Sequence, residues 1–372
     1  MRFPGFKGEW ARKKLGDDCN ILMCKRIFSE ETSEDEEIPF YKIGTLGNLP
    51  DAFIKRDLYE EYKNKYRFPR IGEILITCSG TVGKCIQYDG KEAYYQDSNI
   101  VWIDNPKLKV INEFLFYVIA NINWSKLNST TIKRIYGSDF RNLALEFPIE
   151  LKEQKQIAYF LTSIGERLQS LKHKLNLLEQ YKKAVIQRIF SLEIRFTDDK
   201  GKEYPKWEKK KIVEVATKKS SNISANKIEE NFGNYIIYGA SGVLKKVDFY
   251  EEESDYISII KDGAGVGRLF YCSGKSSVLG TMEIIKPKPE TNTYFLYCLL
   301  SNIDFMKYIT GSTIPHIYFK DYSVEICGIP NLSEQVKIAN FLSALDEKIN
   351  HTKMQIEKTE QYKKGLLQKM FC

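Results

Sequence analysis

Apolar side chains recur every three or four residues along two long segments of the chain, 153–190 and 334–371. This spacing is typical of a coiled-coil seam, and it predicts two helices of about 57 Å each. The first seam consists of Ile157, Leu161, Ile164, Leu168, Leu171, Leu175, Leu178 and Tyr181. The second, which is weaker because threonines replace two of the leucines, consists of Ile338, Leu342, Leu345, Ile349, Ile356 and Tyr362.

A helix with a single apolar stripe must bury that stripe. The simplest partner of each long helix is the other one, in an antiparallel intramolecular coiled coil, because the chain must return between them. The alternative is that each helix packs only on its own domain, but a length of about 57 Å exceeds the span of a typical small domain. Pro148 and Pro330 lie just upstream of the helices, and Ser333 is the expected N-cap of the second.

Shorter apolar runs separated by turn residues predict strands in the rest of the chain. Each group of runs is followed by one buried helix, at 113–119 in the first group and at 293–300 in the second. This pattern predicts two α+β domains, each with a twisted, mostly antiparallel sheet. The predicted strands are 73–77, 85–88, 99–103, 235–238, 256–260, 268–271 and 282–285.

The chain contains an internal repeat. Segment 153–190 aligns with 334–371 without a gap, and both segments contain EQYKK near their ends. Upstream, TIKRIY at 131–136 stands against TIPHIY at 313–318, and the opening Arg2-Phe3 with Trp10 stands against Arg195-Phe196 with Trp207. The repeat predicts two copies of one unit, each a globular part followed by a long helix. The predicted boundaries are 1–147 and 192–329 for the globular parts, and 148–191 and 330–372 for the helices.

The composition is that of an ordinary soluble protein, with 43% hydrophobic and 28% charged residues. No apolar run reaches the roughly 18 residues of a membrane helix, and the N-terminus lacks the core of a signal peptide. We therefore expect a cytoplasmic protein with no membrane partner. The eight cysteines form no CxxC pair and the three histidines are scattered, so we expect neither a metal site nor a cofactor.

The formal net charge of +7 permits a nucleic-acid partner without requiring one. Most of the positive surplus falls in the two helical segments, and each globular part is close to neutral. A DNA-binding role would require each globular part to sort its charges onto different faces.

Two glycine-rich turns follow apolar runs at equivalent places in the repeat, 79–84 and 263–268. Neither matches a nucleotide-binding motif, because the first lacks a glycine and a Ser or Thr of the phosphate loop and the second ends in Arg268 instead of glycine. Two interpretations stay open: a tight turn in which glycine supplies a positive φ, or a surface whose amides and terminal cation face a nucleic-acid phosphate. The candidate residues under the second interpretation are Ser79, Gly80, Thr81, Gly83, Lys84, Gly263, Gly265, Gly267 and Arg268.

Cations alternate with aromatic residues between Phe53 and Arg70. This alternation is typical of surfaces that contact phosphates and stack on bases or sit in a groove, although the carboxylates within it also fit a charged surface helix. The candidate DNA-binding cations of the first copy are Lys55, Arg56, Lys63, Lys65, Arg67, Arg70, Lys133 and Arg134. The candidates of the second copy are Lys218, Lys219, Lys245, Lys246, Thr313 and His316.

The sequence contains no nucleophile with a positioned histidine and no metal-ligand series. With the repeat laid out, the chain resembles a type I restriction-modification specificity subunit over nearly its whole length. The resemblance rests on the two RF…W openings, the SGTVGK turn, TIKRIYGSDF and TIPHIYFKDY before a proline, and EQ-x-x-IA-x-FL…EQYKK in each helix.

This resemblance implies that each globular part is a target-recognition domain that reads one half of a split double-stranded DNA sequence. The coiled coil would fix the spacing between the halves and dock two DNA methyltransferase subunits. Those subunits, with restriction or translocase subunits, would carry the chemistry, and the chain itself would not be an enzyme. The residues alone leave two other classes open: a coiled-coil scaffold that binds only protein, and a self-sufficient methyltransferase or nuclease, against which the missing cofactor motifs argue.

Overall fold

The structure is a computed structural model that describes residues 5–124 and 134–371. The chain forms two compact units: unit 1 comprises Met1–Leu171 with Ile356–Cys372, and unit 2 comprises Lys172–Gln355. In the described part of the chain, no helix combines the length and the apolar character that crossing a membrane requires.

Unit 1 is built from short strands and helices, and the first long helix starts within it. In chain order its elements are β1 Trp10–Lys14, α1 Leu15–Asp18, β2 Asn20–Leu22, β3 Ile38–Tyr41, β4 Phe53–Ile54, α2 Arg56–Lys65, β5 Ile74–Thr77, β6 Cys85–Gln87, β7 Tyr94–Tyr95, β8 Ile100–Asp104, α3 Asn112–Ala120, α4 Gly137–Asn142, β9 Ala144–Pro148 and α5 Leu151–Phe190. A four-stranded antiparallel sheet has the order β2-β8-β5-β6. In a second sheet β3 lies between the antiparallel β4 and the parallel β7, and β1 pairs with β9.

Unit 2 repeats this topology. Its elements, ending with the second long helix, are β10 Glu208–Lys211, α6 Ile212–Val215, β11 Ala216–Ser220, β12 Tyr235–Gly239, β13 Gly242–Val247, β14 Tyr256–Ile260, β15 Leu269–Cys272, β16 Ser276–Val278, β17 Met282–Pro287, α7 Thr293–Ser301, α8 Phe319–Tyr322, β18 Ile326–Ile329 and α9 Leu332–Phe371. The sheet orders are β11-β17-β14-β15, β13-β12-β16 and β10-β18, with β12 and β16 parallel. The sequence repeat is therefore also a repeat of strand order.

Each unit buries one face of its four-stranded sheet against a short helix and against parts of both long helices. In unit 1, Ile76, Phe114, Leu161 and Met370 belong to one buried cluster. The corresponding cluster of unit 2 includes Ile189, Ile259, Phe295 and Leu342. Full burial of each such side chain stabilises the fold by about 1.5–3 kcal/mol.

The long helices run antiparallel within each unit. In unit 2, Lys182 Nζ lies 2.5 Å from Asp346 Oδ1, and Lys353 Nζ lies 2.8 Å from Glu179 Oε1, so residue numbers rise along one helix as they fall along the other. The predicted fold class is confirmed: two repeated α+β parts, with two long helices packed as an antiparallel intramolecular coiled coil.

The seam follows the heptad pattern, but its last predicted members are wrong. Tyr181 and Tyr362 are 51% and 54% exposed. Alternating steps of four and three lead instead to Lys182 and Lys363, which are half-buried. Lysine can take a seam position because its aliphatic stem packs while its ammonium stays near solvent. Of the other predicted members, Ile157, Leu161, Ile164, Ile338, Leu342, Leu345 and Ile349 are buried, and Leu168, Leu171, Leu175, Leu178 and Ile356 are half-buried.

Buried glutamines fix the starts of both long helices. Gln154 Nε2 donates to the Pro148 carbonyl at 2.7 Å, and Gln335 Nε2 donates to the Pro330 carbonyl at 2.9 Å. The predicted N-cap of α9 is wrong: Asn331, not Ser333, caps it, because Asn331 Oδ1 accepts the backbone N–H of Glu334 at 2.9 Å.

Candidate nucleic-acid interface

The glycine-rich turn of unit 1 connects β5 to β6. The Thr77 amide donates to the Lys84 carbonyl and the Gly83 amide donates to the Thr77 carbonyl, both at 2.9 Å. The Thr77 hydroxyl accepts the Lys84 amide at 3.1 Å and donates to the Thr81 carbonyl. The turn is thus closed by its own backbone, and Gly80 and Thr81 at its tip are exposed.

Glycine is required in this turn for conformation and for space. Gly83 has a φ of 83°, and a Cβ added there would lie 2.0 Å from Cδ1 of the buried Trp124. In unit 2, Gly267 has the same φ of 83° and faces Phe305, with 3.0 Å between an added Cβ and the Phe305 Cβ. Both φ values favour glycine, so the tight-turn interpretation describes the backbone correctly.

The turn of unit 1 is joined to the segment that contains Arg134. The Ile135 amide donates to the Cys78 carbonyl at 2.8 Å, and Ser79 and Arg134 form an antiparallel bridge. Ser79 Oγ donates to Asn99 Oδ1 at 2.7 Å, and Arg134 Nη2 donates to the Ser98 carbonyl at 3.3 Å. The candidate residues Ser79 and Arg134, which are far apart in sequence, therefore form one surface. The candidate next to Arg134, Lys133, lies outside the described residues.

Unit 2 builds the same junction. The Ile260 amide donates to the Arg268 carbonyl and the Ile317 amide donates to the Lys261 carbonyl, both at 2.9 Å. Asp262 and His316 form the bridge that corresponds to Ser79 and Arg134. The turn of unit 2 contains one more residue, because Gly267 bonds to Ile260 where Gly83 bonds to Thr77.

The exposed side chains at this junction differ between the units. Arg268 is exposed and donates to the Ala240 carbonyl at 3.4 Å, whereas its counterpart Lys84 is half-buried. Thr313 is exposed, and the His316 ring is half-buried with its centroid 4.9 Å from that of Tyr318. The same backbone arrangement thus presents different chemical groups.

Several cations of the basic-aromatic stretch are engaged within unit 1. Arg56 pairs with Glu37 and Glu92, at 2.7 Å and 3.1 Å, and hydrogen bonds to these two carboxylates raise its pKa. Arg70 Nη2 lies 2.7 Å from both Glu73 Oε1 and Asp104 Oδ1. The Arg56 pairs are exposed and contribute little to stability, so a phosphate could replace these partners at small cost. The Glu73 side chain is only 2% exposed, so Arg70 is held more firmly, because its loss would leave a buried carboxylate without its partner.

The remaining cations of this stretch are more open. Lys63 donates to the Tyr59 hydroxyl at 3.0 Å, and Lys65 lies 3.7 Å from Glu61. Lys55 and Arg67 are exposed, and neither forms an ion pair within the part of the chain that the structure describes. Lys55, Lys63 and Lys65 lie on or next to α2, so the stretch is largely a charged surface helix.

Two of the candidate lysines of unit 2 hold buried acids. Lys218 Nζ lies 3.1 Å from Glu283, and Lys219 Nζ lies 2.7 Å from Glu252, which is 1% exposed. Burial alone would raise the pKa of Glu252, but hydrogen bonds from Lys219 and Lys286 outweigh it, and the net pKa is lowered.

The other two candidate lysines lie on β13. Lys245 Nζ donates to the Ile228 carbonyl at 2.6 Å and lies 4.1 Å from the ring centroid of Phe232, and Lys246 is exposed. Of these four lysines, Lys219 and Lys245 therefore have the clearest structural roles.

The glutamines after the helix-start prolines were missed as structural residues. Gln154 Oε1 accepts the Ile111 amide at 2.8 Å, and Gln335 Oε1 accepts the Asn292 amide at 2.9 Å. The sequence signal is the dipeptide EQ at 153–154 and 334–335, which follows a proline by five residues in the first copy and by four in the second.

Thiol and metal chemistry find little support in the described residues. Burial raises the pKa of Cys19, Cys24 and Cys78 to about 12, which keeps these thiols protonated and poorly reactive. Within residues 5–124 and 134–371, no group of three or more His, Cys, Asp or Glu side chains is placed so that it could hold a metal ion.

Comparison with known proteins identifies relatives of one kind. The family model described as "Type I restriction modification DNA specificity domain" matches residues 7–180 and 204–361. A Haemophilus influenzae protein that carries the name of a type I restriction enzyme specificity subunit is 42% identical over 171 residues, covering 46% of this chain and 44% of that protein. A Methanocaldococcus jannaschii protein named for the MjaX specificity subunit is 25% identical over 401 residues, covering 96% and 92%.

Solved structures show the same fold. The S subunit of a type I restriction-modification system from M. genitalium has a TM-score of 0.72 at 18% identity, covering 100% of this chain and 99% of that chain. A chain from a structural study of type I R-M complex assembly and conformational transition has a TM-score of 0.56 at 14% identity, with the same coverage.

Proposed function

The chain belongs to the family of type I restriction-modification specificity subunits, and from this membership we propose that it is a sequence-specific reader of double-stranded DNA. Each globular part, 1–147 and 192–329, acts as a target-recognition domain for one half of a split sequence. The helical segments 148–191 and 330–372 fix the distance between the half-sites.

The observation that carries this proposal is the repeated junction between a glycine turn and a bridging segment. The backbone bonds are the same in both units, but Arg134 in one is replaced by His316 in the other and the turn gains a residue. A common scaffold with different side chains suits the recognition of two unlike half-sites. The target is therefore split and asymmetric.

Each half-site is bound through two kinds of contact, one to phosphates and one to base edges. Cations such as Arg67, Lys84, Arg134 and Arg268 contact phosphates and supply sequence-independent affinity. Exposed polar groups of the turns, such as Thr81 and Thr313, contact base edges and supply sequence choice. Readers of successive major grooves on one face of B-DNA stand about 34 Å apart, a separation that a rigid helical pair can hold and a flexible linker cannot.

The chemistry belongs to partners in this proposal. Two DNA methyltransferase subunits dock on the long helices, and restriction or translocase subunits join them. The chain contributes no catalytic group and no cofactor. Support comes from the solved chain of similar fold that was studied for type I R-M complex assembly.

Mapping of modified bases across the genome, in cells with and without the chain, tests the proposal. A bipartite, asymmetric modified motif should be present only in cells that contain the chain. Thr81→Ala should relax one half of the motif and Thr313→Ala the other, with the opposite half retained. Loss of modification with no change of motif, or a motif that is not split, would contradict the proposal.

Binding in solution provides an independent measurement. The purified full chain should bind random-sequence duplex DNA with an affinity that falls linearly on a log–log plot against salt. Arg268→Gln should reduce the slope by about one. Lys275→Gln, at a side chain that is 60% exposed outside the turn, is the matched control and should leave the slope unchanged. A scaffold that binds only protein would show no salt-dependent DNA binding.

A further inference from the structure

Each unit exposes a tyrosine at the same place in the repeat. Tyr136 is 61% exposed and Tyr318 is 50% exposed. Both come two residues after the bridge to the glycine turn, at Arg134 and His316 respectively. Within the part of the chain that the structure describes, neither hydroxyl has a hydrogen-bond partner.

The backbone holds both tyrosines in the same way. Asp139 donates its amide to the Tyr136 carbonyl at 2.9 Å, and Asp321 donates its amide to the Tyr318 carbonyl at 3.0 Å. Each tyrosine immediately precedes a short helix, α4 or α8, and the start of that helix fixes the position of the tyrosine backbone. The two rings are thus equivalent in the fold as well as in the sequence.

A cation lies beside each ring. The Arg134 guanidinium is 5.8 Å from the centroid of Tyr136, and the Lys320 ammonium is 5.4 Å from the centroid of Tyr318. The cations come from different positions in the repeat, one before the tyrosine and one after it. The pairing of an exposed tyrosine with a positive charge therefore exists in both units even though its construction differs.

Core packing does not explain why both tyrosines are present. An exposed ring contributes little burial, and the surrounding surface differs between the units in turn length and in side chains. A feature shared by two otherwise different surfaces is best suited to a task that does not depend on which bases are read. On DNA that task is contact with the sugar-phosphate backbone, to which tyrosine hydroxyls commonly donate hydrogen bonds.

We propose that Tyr136 and Tyr318 make the same sequence-independent contact with DNA, one at each half-site. Each hydroxyl donates a hydrogen bond to a phosphate oxygen, and the neighbouring Arg134 or Lys320 attracts that phosphate. The two tyrosines set the position of each domain on the duplex, while other residues choose the bases. This inference rests on the proposed DNA-reading function.

The test uses the purified full chain and two probes: a random-sequence duplex, and a pool of random duplexes from which bound molecules are selected and sequenced. Tyr136→Phe and Tyr318→Phe should each weaken binding to the random-sequence duplex by roughly tenfold, because only the hydroxyl is lost. The motif selected from the pool should stay the same. Tyr159→Phe and Tyr181→Phe, at tyrosines 78% and 51% exposed on α5, are the matched controls and should bind as the wild type does.

Phenylalanine keeps the ring, so folding should be retained, and circular dichroism melting of each variant checks this. Unchanged affinity in the two Phe variants would overturn the inference while leaving the proposed function intact. A changed motif would also overturn it, because it would make the tyrosines base readers. Absence of any DNA binding by the wild type would instead overturn the proposed function, and this inference with it.

Discussion

The two units share a topology but close their helical seams differently. In unit 2, Lys182 and the Tyr294 hydroxyl both bond to Asp346. In unit 1, the lysine at the equivalent position is Lys363, and it faces Gly165, with its Nζ 3.7 Å from where a Cβ would lie. One copy therefore has a charge pair across the seam and the other has the lysine without the acid at that position.

This difference shows that some features are common to both copies of the repeat and others occur in only one copy. The strand order, the glutamine anchors and the glycine turns are present in both units. The seam charges, the buried acid Glu252 and the cations at the junction are not. The shared elements are those that fix the backbone, and the variable elements are side-chain interactions, each of which we expect to contribute less than a shared anchor.

The largest expected effect comes from the shared anchors. Gln154→Ala and Gln335→Ala should each lower the free energy of unfolding of their own unit by about 3 kcal/mol, because each leaves buried backbone groups without partners. Chemical denaturation combined with hydrogen exchange can report the two units separately. Gln156→Ala, at an exposed position two residues from the first anchor, is the control and should change little. Unequal losses would show that the anchors are not equivalent.

Glu252 should make the stability of unit 2 depend on pH. At pH 7, Glu252→Gln should cost on the order of 2 kcal/mol, because Lys219 and Lys286 lose a buried anion. The pKa of Glu252 is lowered from its usual 4.5, so its contribution is present above that pH and is lost as the pH falls through the lower folded value.

The measurement is the unfolding free energy of wild type and variant between pH 7 and pH 3. The two curves should converge at the acid end. Glu253→Gln, at a neighbouring side chain that is 66% exposed, should change the unfolding free energy less, and by an amount that depends less on pH. A Glu252→Gln difference that stays constant across this range would be inconsistent with a lowered pKa.

Asp346→Asn should destabilise unit 2 by about 1–2 kcal/mol. The substitution removes the charge that Lys182 and Tyr294 share, at a site where the lysine side chain is only 16% exposed. Thermal unfolding followed by circular dichroism measures the loss, and Glu347→Gln on the exposed side of α9 is the control. An equal effect of the two substitutions would mean that the seam pair has no special weight.

The smallest expected effect is an increase in the stability of unit 1. Gly165→Asp places a carboxylate opposite Lys363 and should stabilise unit 1 by about 0.5 kcal/mol more than Gly165→Asn, which has a similar helix propensity. The difference should disappear in a Lys363→Gln background and at high salt. A gain that persists without Lys363 would come from helix propensity alone.

Regular spacing made the long helices and their pairing predictable from sequence. The prediction is wrong at Tyr181 and Tyr362, because alternating heptad steps of four and three lead to the adjacent Lys182 and Lys363. A residue's position in the heptad, and not its aromatic character, therefore decides which side chain enters the seam.

The candidate interface was predictable only in parts. The glycine turns and the TIKRIY and TIPHIY segments were identified separately, but hydrogen bonds such as that from Ile135 to Cys78 join residues far apart in sequence. Likewise, a sequence shows that Arg56 and Lys219 are cations without showing that Glu37 and Glu252 fold against them. Local patterns predicted the elements, whereas tertiary partners decided which charges stay available.

The chain segments that make up the two units determine the order in which the units can fold during synthesis. Unit 2 is one continuous stretch, Lys172–Gln355, whereas unit 1 needs Ile356–Cys372 as well as the first part of the chain. Met370 is buried in the core of unit 1, and Phe371 packs edge-to-face against Phe114 there with ring centroids 5.6 Å apart. Because a ribosome releases the chain from its amino end, the body that begins to emerge first is the last whose core can be completed.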